Sequence, residues 1–154
     1  MSNVSLDQAS ALIDAALAAG TDAGMMPLTV AVLDTGGHLV ALKRQDGSGI
    51  MRVQVATGKA WGALGMGASS RLLRDRLSDR PSFISALTVA SEGRFVPVPG
   101  GVLIKDTNGG IVGAVGISGD TSDKDEYCAI QGIKATGLTP DPAEPDPNWQ
   151  GSSL

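Results

Sequence analysis

The chain has one cysteine, Cys128, one histidine, His38, and aromatic residues at only 3% of its 154 positions. A lone thiol excludes an internal disulfide, and it also excludes the zinc and iron–sulfur centres that require several thiolates. With few aromatics and a net charge of −4 there is neither a stacking platform nor a cationic footprint, so nucleic acid is excluded as a partner. No apolar run approaches the roughly 18 residues of a membrane span, and no basic stretch followed by an apolar one opens the chain. A soluble, cytoplasmic protein with no membrane partner is the expectation. There is also no Walker loop, no Gly-x-Ser-x-Gly elbow, no His-x-x-x-His pair and no Gly-x-Gly-x-x-Gly opening a helix after a strand. The commonest nucleotide, hydrolase and metalloprotease sites are therefore missing.

Glycine, by contrast, is abundant at 21 residues, and its placement is patterned. Leu28 to Arg44 reads LTVAVLDTGGHLVALKR, and Val102 to Ser118 reads VLIKDTNGGIVGAVGIS. Each is an apolar run, a turn containing Asp-Thr and Gly-Gly, and a second apolar run. Glycine accepts the positive φ angles that a tight reversal demands, so both segments are predicted to be β-hairpins. Two hairpins separated by a long helical stretch imply one antiparallel sheet in an α+β fold.

The helical pattern has clear limits. Ser5 with Gln8 resembles a capping box, and Leu6, Ala9, Ile13, Ala16 and Leu17 follow at helical spacing. Ile50 to Met66 regains the period along Val53, Ala56, Ala60 and Leu64. Gly58, Gly62 and Gly65 each cost about 1 kcal/mol relative to alanine inside that helix, which calls for a close-packing or ligand reason. Ser69 to Leu77 reads as a basic helix ended by Pro81, with Arg71, Arg74, Arg76 and Arg80 as a solvated face pairing with Asp75 and Asp79. Ser82 to Ser91 is ambiguous. Arg94 to Gly101 reads as extended chain at a sheet edge or pocket, because its prolines remove donors. A last helix is expected from about Ser122 to Gly137, with Asp123, Asp125 and Glu126 favourable at its positive end. The domain is then residues 1–137, followed by an irregular proline-rich tail, 138–154, whose Trp149 either docks or is disordered.

Arg52 and Lys59 are seven residues apart, so they share a helix face and lie about 10 Å apart along the axis. Two cations above small residues suit an anionic ligand such as a carboxylate. Asp46 and Glu126 are candidate charge partners, and Pro99, Gly100, Gly101 and Trp61 are candidate ligand-binding neighbours. Lys59 is expected to be at most half-buried, so its replacement should spare stability. Glycine-rich surfaces and the proline-rich edge point to a homo-oligomer.

Taken together, VAVLDTGGHLVALKRQDG, GKAWGA (58–63), RFVPVPGGVLIKD (94–106) and GGIVGAVGISGDTSDKDE, which closes at Glu126, resemble the HbpS/GlcG-like family of haem-binding proteins, over about residues 5–137. Similar domains occur as the C-terminal part of PduO-type cobalamin adenosyltransferases. The resemblance implies a profilin-like α+β fold, with a five-stranded antiparallel sheet flanked by helices, and a homo-oligomer that binds haem or a similar tetrapyrrole or anionic small molecule. Haem iron would then take His38, Tyr127, Cys128 or a methionine as its axial donor, with Trp61, Phe83 and Phe95 as apolar walls. The alternative is a small-molecule enzyme of lyase, isomerase or hydrolase type acting on a small carboxylate or carbonyl compound. In that reading Lys59 is proton donor or electrophile, Glu126 is base and Arg52 binds the substrate.

Overall fold

Ser5 starts the first helix as its spacing to Gln8 predicts. In the computed structural model, which describes residues 2–154, the Ser5 hydroxyl accepts from the Gln8 amide and the Gln8 side chain accepts from the Ser5 amide. Helix α1 (Leu6–Asp22) follows, then strands β1 (Thr29–Leu33) and β2 (Leu39–Arg44), and helices α2 (Arg52–Met66), α3 (Ser70–Leu77) and α4 (Pro81–Ala90). Strands β3 (Gly101–Lys105) and β4 (Ile111–Ser118), helix α5 (Ser122–Ala135) and strand β5 (Thr139–Asp141) complete the order.

Both hairpins form, and by the same local device. The Asp34 carboxylate accepts from the amides of Gly36 and His38, and Gly37 turns with φ 79°. The Asp106 carboxylate accepts from Asn108 and Gly110, and Gly109 turns with φ 83°. An aspartate that mimics a backbone acceptor holds each reversal while glycine supplies the left-handed residue. The five strands run in the order β2-β1-β4-β3-β5, every neighbour antiparallel.

Side chains alternate between the two faces of this sheet, and each face has its own cover. Val30, Val32, Val102, Ile104, Val115 and Ile117 pack under α1 and α5 with Leu12, Ile13, Ile130 and Ile133. Leu33, Leu103 and Ala114 face Ala60 and Ala63 of α2. The α2 face carries small residues because the helix backbone itself comes down onto the sheet: a Cβ on Gly116 would overlap the Ala56 carbonyl oxygen, and one on Gly101 would overlap the Lys59 carbonyl. A third apolar group, Leu73, Leu77 and Phe95 with Phe83 and Leu87, joins α3 and α4 to the 94–96 segment.

Three segments differ from the sequence reading or sharpen it. The ambiguous stretch is α4, with Pro81 at its first turn, where a missing amide is harmless. The segment 138–154 is not wholly irregular: Thr139–Asp141 pairs with β3 as the fifth strand, two residues beyond the boundary expected at 137. Trp149 docks, its ring 3.8 Å from that of Tyr127 in a near-parallel stack.

Candidate functional site

Arg52 and Lys59 converge on the end of β4. Arg52 donates to the Ser118 hydroxyl at 3.1 Å, while the Lys59 ammonium donates to the Ile117 carbonyl at 2.8 Å and to Asp125 Oδ2 at 3.1 Å. The other Asp125 oxygen accepts the Asp120 amide at 3.0 Å. Gly100 and Gly101 lie against the same lysine, and Pro99 beside them is buried. Lys59 is 2% exposed and Asp125 1%, which corrects the expectation of a half-exposed lysine. Burial lowers the Lys59 ammonium and raises the Asp125 carboxyl from their ordinary values, and each opposes the shift of the other. The tight glycine contacts and the mutual pairing make this a closed ion pair that locks α2 and α5 to the sheet.

Glu126 points elsewhere. It is fully buried, its Oε2 lies 3.2 Å from Arg71 Nε, and neither of its oxygens accepts a hydrogen bond. Arg71 also donates to the Glu144 carbonyl at 2.9 Å, so it bridges the buried carboxyl to the C-terminal segment. Arg71 is thus committed to Glu126 and the tail and does not belong to a solvated face paired with Asp75 and Asp79. Arg74 does pair with Asp75, at 3.0 Å, and Arg80 stacks over Phe83.

Burial pushes the Glu126 carboxyl up from its ordinary 4.5 to about 7; Arg71 and Arg74 pull it back and Asp123 adds to the rise. A value raised on folding means that the folded protein holds the proton more tightly than the unfolded chain does. The resulting stabilisation is complete below pH 4.5 and is lost as pH climbs to about 7. Relative to Glu126→Gln, which cannot titrate, the wild-type protein should lose stability between these limits and no further above them. The change is at most about 3.5 kcal/mol at 1.4 kcal/mol per pH unit. Urea unfolding of both proteins at pH 5 and pH 8 checks it; parallel pH profiles would show that Glu126 does not titrate in this window.

The clearest recess follows the outer side of α2. Gly58 and Gly62 have no side chains there, and Val96 and Phe95 fill the space their Cβ atoms would take, so the 94–96 segment lies directly on the helix. Beside it Trp61, Met66, Leu87 and Phe95 line an apolar cavity of about 200 Å³. A second cavity, of about 350 Å³, continues toward the helix start between Val53, Thr57 and Glu92. Trp61 belongs to this groove rather than to the Lys59 pair. Asp46 is exposed in a separate hollow with Thr21, Met25 and Arg44. His38 sits on the first hairpin turn with an 80% exposed side chain, its Nδ1 3.2 Å from Asp34. Among the described residues no cluster of three or more His, Cys, Asp or Glu side chains could hold a metal ion. No helix among them is long and apolar enough to cross a membrane.

The family described as haem degrading protein HbpS-like matches residues 4–134. The chain belongs to that family. An uncharacterised 15.0 kDa protein from the dhaT-dhaS intergenic region of Citrobacter freundii is 27% identical over 104 residues, 68% of this chain and 72% of that one. A double mutant of Streptomyces reticuli HbpS, solved by crystallography, superposes with TM-score 0.74 and 27% identity over 87% of each chain. The crystal structure of the PduOC:haem complex superposes with TM-score 0.79 and 24% identity over 88% of this chain and 96% of that one, and shows the same fold.

In this HbpS-like chain the structure draws Arg52, Lys59, Gly100 and Gly101 together and places Glu126, Trp61, Asp46 and His38 in four other settings. Sequence reasoning missed Asp125 and Arg71. The signal for Asp125 was weak: adjacent acids at a helix start point in directions about 100° apart, and nothing in DKDE says which one faces the sheet. For Arg71 the sequence carries no such signal: Ser70, Leu73 and Leu77 are the inward positions of α3, and Arg71 lies about 100° round from Ser70.

Proposed function

We propose that this chain is a haem- or tetrapyrrole-binding protein whose α2 groove forms half of a site that a second copy completes. The carrying observation is the groove wall: Trp61, Leu87 and Phe95 offer apolar surface to a flat macrocycle, and the thioether of Met66 stands in the same wall. Methionine is an established haem-iron donor, so Met66 in this wall fits the group. Haem, when bound, would supply a redox-active iron, and Met66 is the residue of this wall that would hold it. Trp61, Leu87 and Phe95 would exclude water from the face of the ligand, and Met66 lines the same cavity. At about 200 Å³ the cavity is smaller than the roughly 300–1,000 Å³ usual for ligand pockets, which favours a cleft shared by two copies. Family membership and the haem complex of a protein with the same fold point the same way. The enzyme reading is less favoured, because the Lys59 ammonium is closed off by Ile117 and Asp125 and lines none of the cavities described above.

Hemin titration tests the proposal. Saturable binding with a defined Soret band is expected, and Met66→Ala should shift that band and weaken affinity by about tenfold, the loss of one modest interaction. His38→Ala, which removes an imidazole outside the groove, should leave both unchanged. Non-saturating spectra indifferent to either substitution would reject haem as the ligand.

A further inference from the structure

One arginine divides the groove. The guanidinium carbon of Arg94 lies 4.3 Å from the centre of the Trp61 ring, and its Nε donates to the Ser91 carbonyl at 2.9 Å. On one side is the apolar cavity of Trp61, Met66, Leu87 and Phe95; on the other is the cavity of Val53, Thr57 and Glu92, whose wall includes Arg94 itself. The backbone is shaped to put it there. Glu92 holds φ 56°, a left-handed angle uncommon outside glycine, and Gly93 follows at 81°, so the chain reverses sharply after α4 and delivers Arg94 onto α2.

The charge of Arg94 is uncommitted. Among the described residues no carboxylate lies within 4 Å of it, although Glu92 is only two residues away, and its terminal nitrogens make no hydrogen bond. The two cations of α2 are placed elsewhere: Lys59 is paired with Asp125, and Arg52 donates to the Ser118 hydroxyl at the end of β4, and neither lines the two cavities. A planar guanidinium exposed over an indole gains little from the stack, whereas a carboxylate offers it two parallel charge-assisted bonds. A carboxylate arriving in the groove would therefore win the arginine from the ring.

We propose that Arg94 is the specificity-determining residue of the groove: it recognises a carboxylate on the edge of a flat apolar ligand, and in turning to it uncovers the face of Trp61 for the body of that ligand. This rests on the tetrapyrrole reading above and adds to it a selectivity for free acids over neutral esters. Lysine could not replace it fully, since an ammonium is a point charge without the paired geometry.

The test uses metal-free protoporphyrin IX and its dimethyl ester, which share the ring and differ in the two carboxylates. Trp149→Phe leaves Trp61 as the one tryptophan of the two, so its fluorescence reports groove occupancy while a ring still stacks on Tyr127. In that background the free acid should bind at least tenfold more tightly than the ester. Arg94→Gln should abolish the difference by weakening the acid alone, and Arg94→Lys should restore only part of it. Equal affinity for acid and ester, or an acid preference that survives Arg94→Gln, overturns the assignment of Arg94 while the tetrapyrrole reading stands. Absence of saturable quenching by either probe also overturns the assignment of Arg94, and the hemin titration then decides the tetrapyrrole reading.

Discussion

Lys59→Ala should cost about 3–5 kcal/mol of folding stability, the range for removing one partner of a buried ion pair. The deletion leaves the Asp125 carboxylate in a dry site and strips the Ile117 carbonyl of its donor. Burial already raises the Asp125 carboxyl with Lys59 present, and without the ammonium the rise is greater. Its folded-state value then lies further above its unfolded one, so the variant should be least impaired at acid pH and lose stability as pH rises above the ordinary aspartate range. Urea unfolding at pH 5 and pH 8 measures both effects. A neutral double variant, Lys59→Met with Asp125→Asn, should recover more than half of the loss, because the Asn oxygen can still accept from the Asp120 amide. A single Lys59→Ala variant within about 0.5 kcal/mol of wild type, the scatter of ordinary surface substitutions, would mean that water reaches the site and the pair is not closed.

The same lysine shows where sequence reasoning stops. Spacing along a helix places Arg52 and Lys59 on one face, and both do reach the end of β4. Depth is another matter: the lysine is buried because Gly100 and Gly101 let β3 close over it, and that approach depends on pairings far apart in the chain. Local chemistry was readable wherever a few adjacent residues decide the outcome, as with the Ser5–Gln8 cap and the Asp34 and Asp106 turns. β5 was not readable as a strand, since Thr139–Asp141 carries a proline and gains its place from β3 rather than from its own pattern. The α2 groove was half legible. Gly58 and Gly62 announced a close approach, but only the fold shows that Phe95 and Val96 make it and that Arg94 comes with them.

Gly116→Ala should be as damaging as any core truncation, at about 3 kcal/mol or more, the upper end of overpacking effects. Its new methyl would overlap the Ala56 carbonyl oxygen and stand 3.0 Å from the Ala60 amide, both backbone atoms of α2 that no rotamer change can move. The helix would have to lift from the sheet. Because α2 carries Arg52, Lys59, Trp61 and Met66, lifting it would also loosen the Lys59–Asp125 pair and open the groove, so ligand binding should fall together with stability. Gly65→Ala, in the same helix, should raise stability instead. Its methyl would meet only Trp61 at 3.7 Å, an ordinary contact, and replacing a glycine in the last turn of α2, where the backbone suits alanine, gains up to about 1 kcal/mol. Thermal unfolding of the two variants side by side should show midpoints displaced in opposite directions. If Gly116→Ala unfolded at the wild-type midpoint, the backbone of α2 would not rest on β4 at Ala56, and the small-residue face of the sheet would need another explanation.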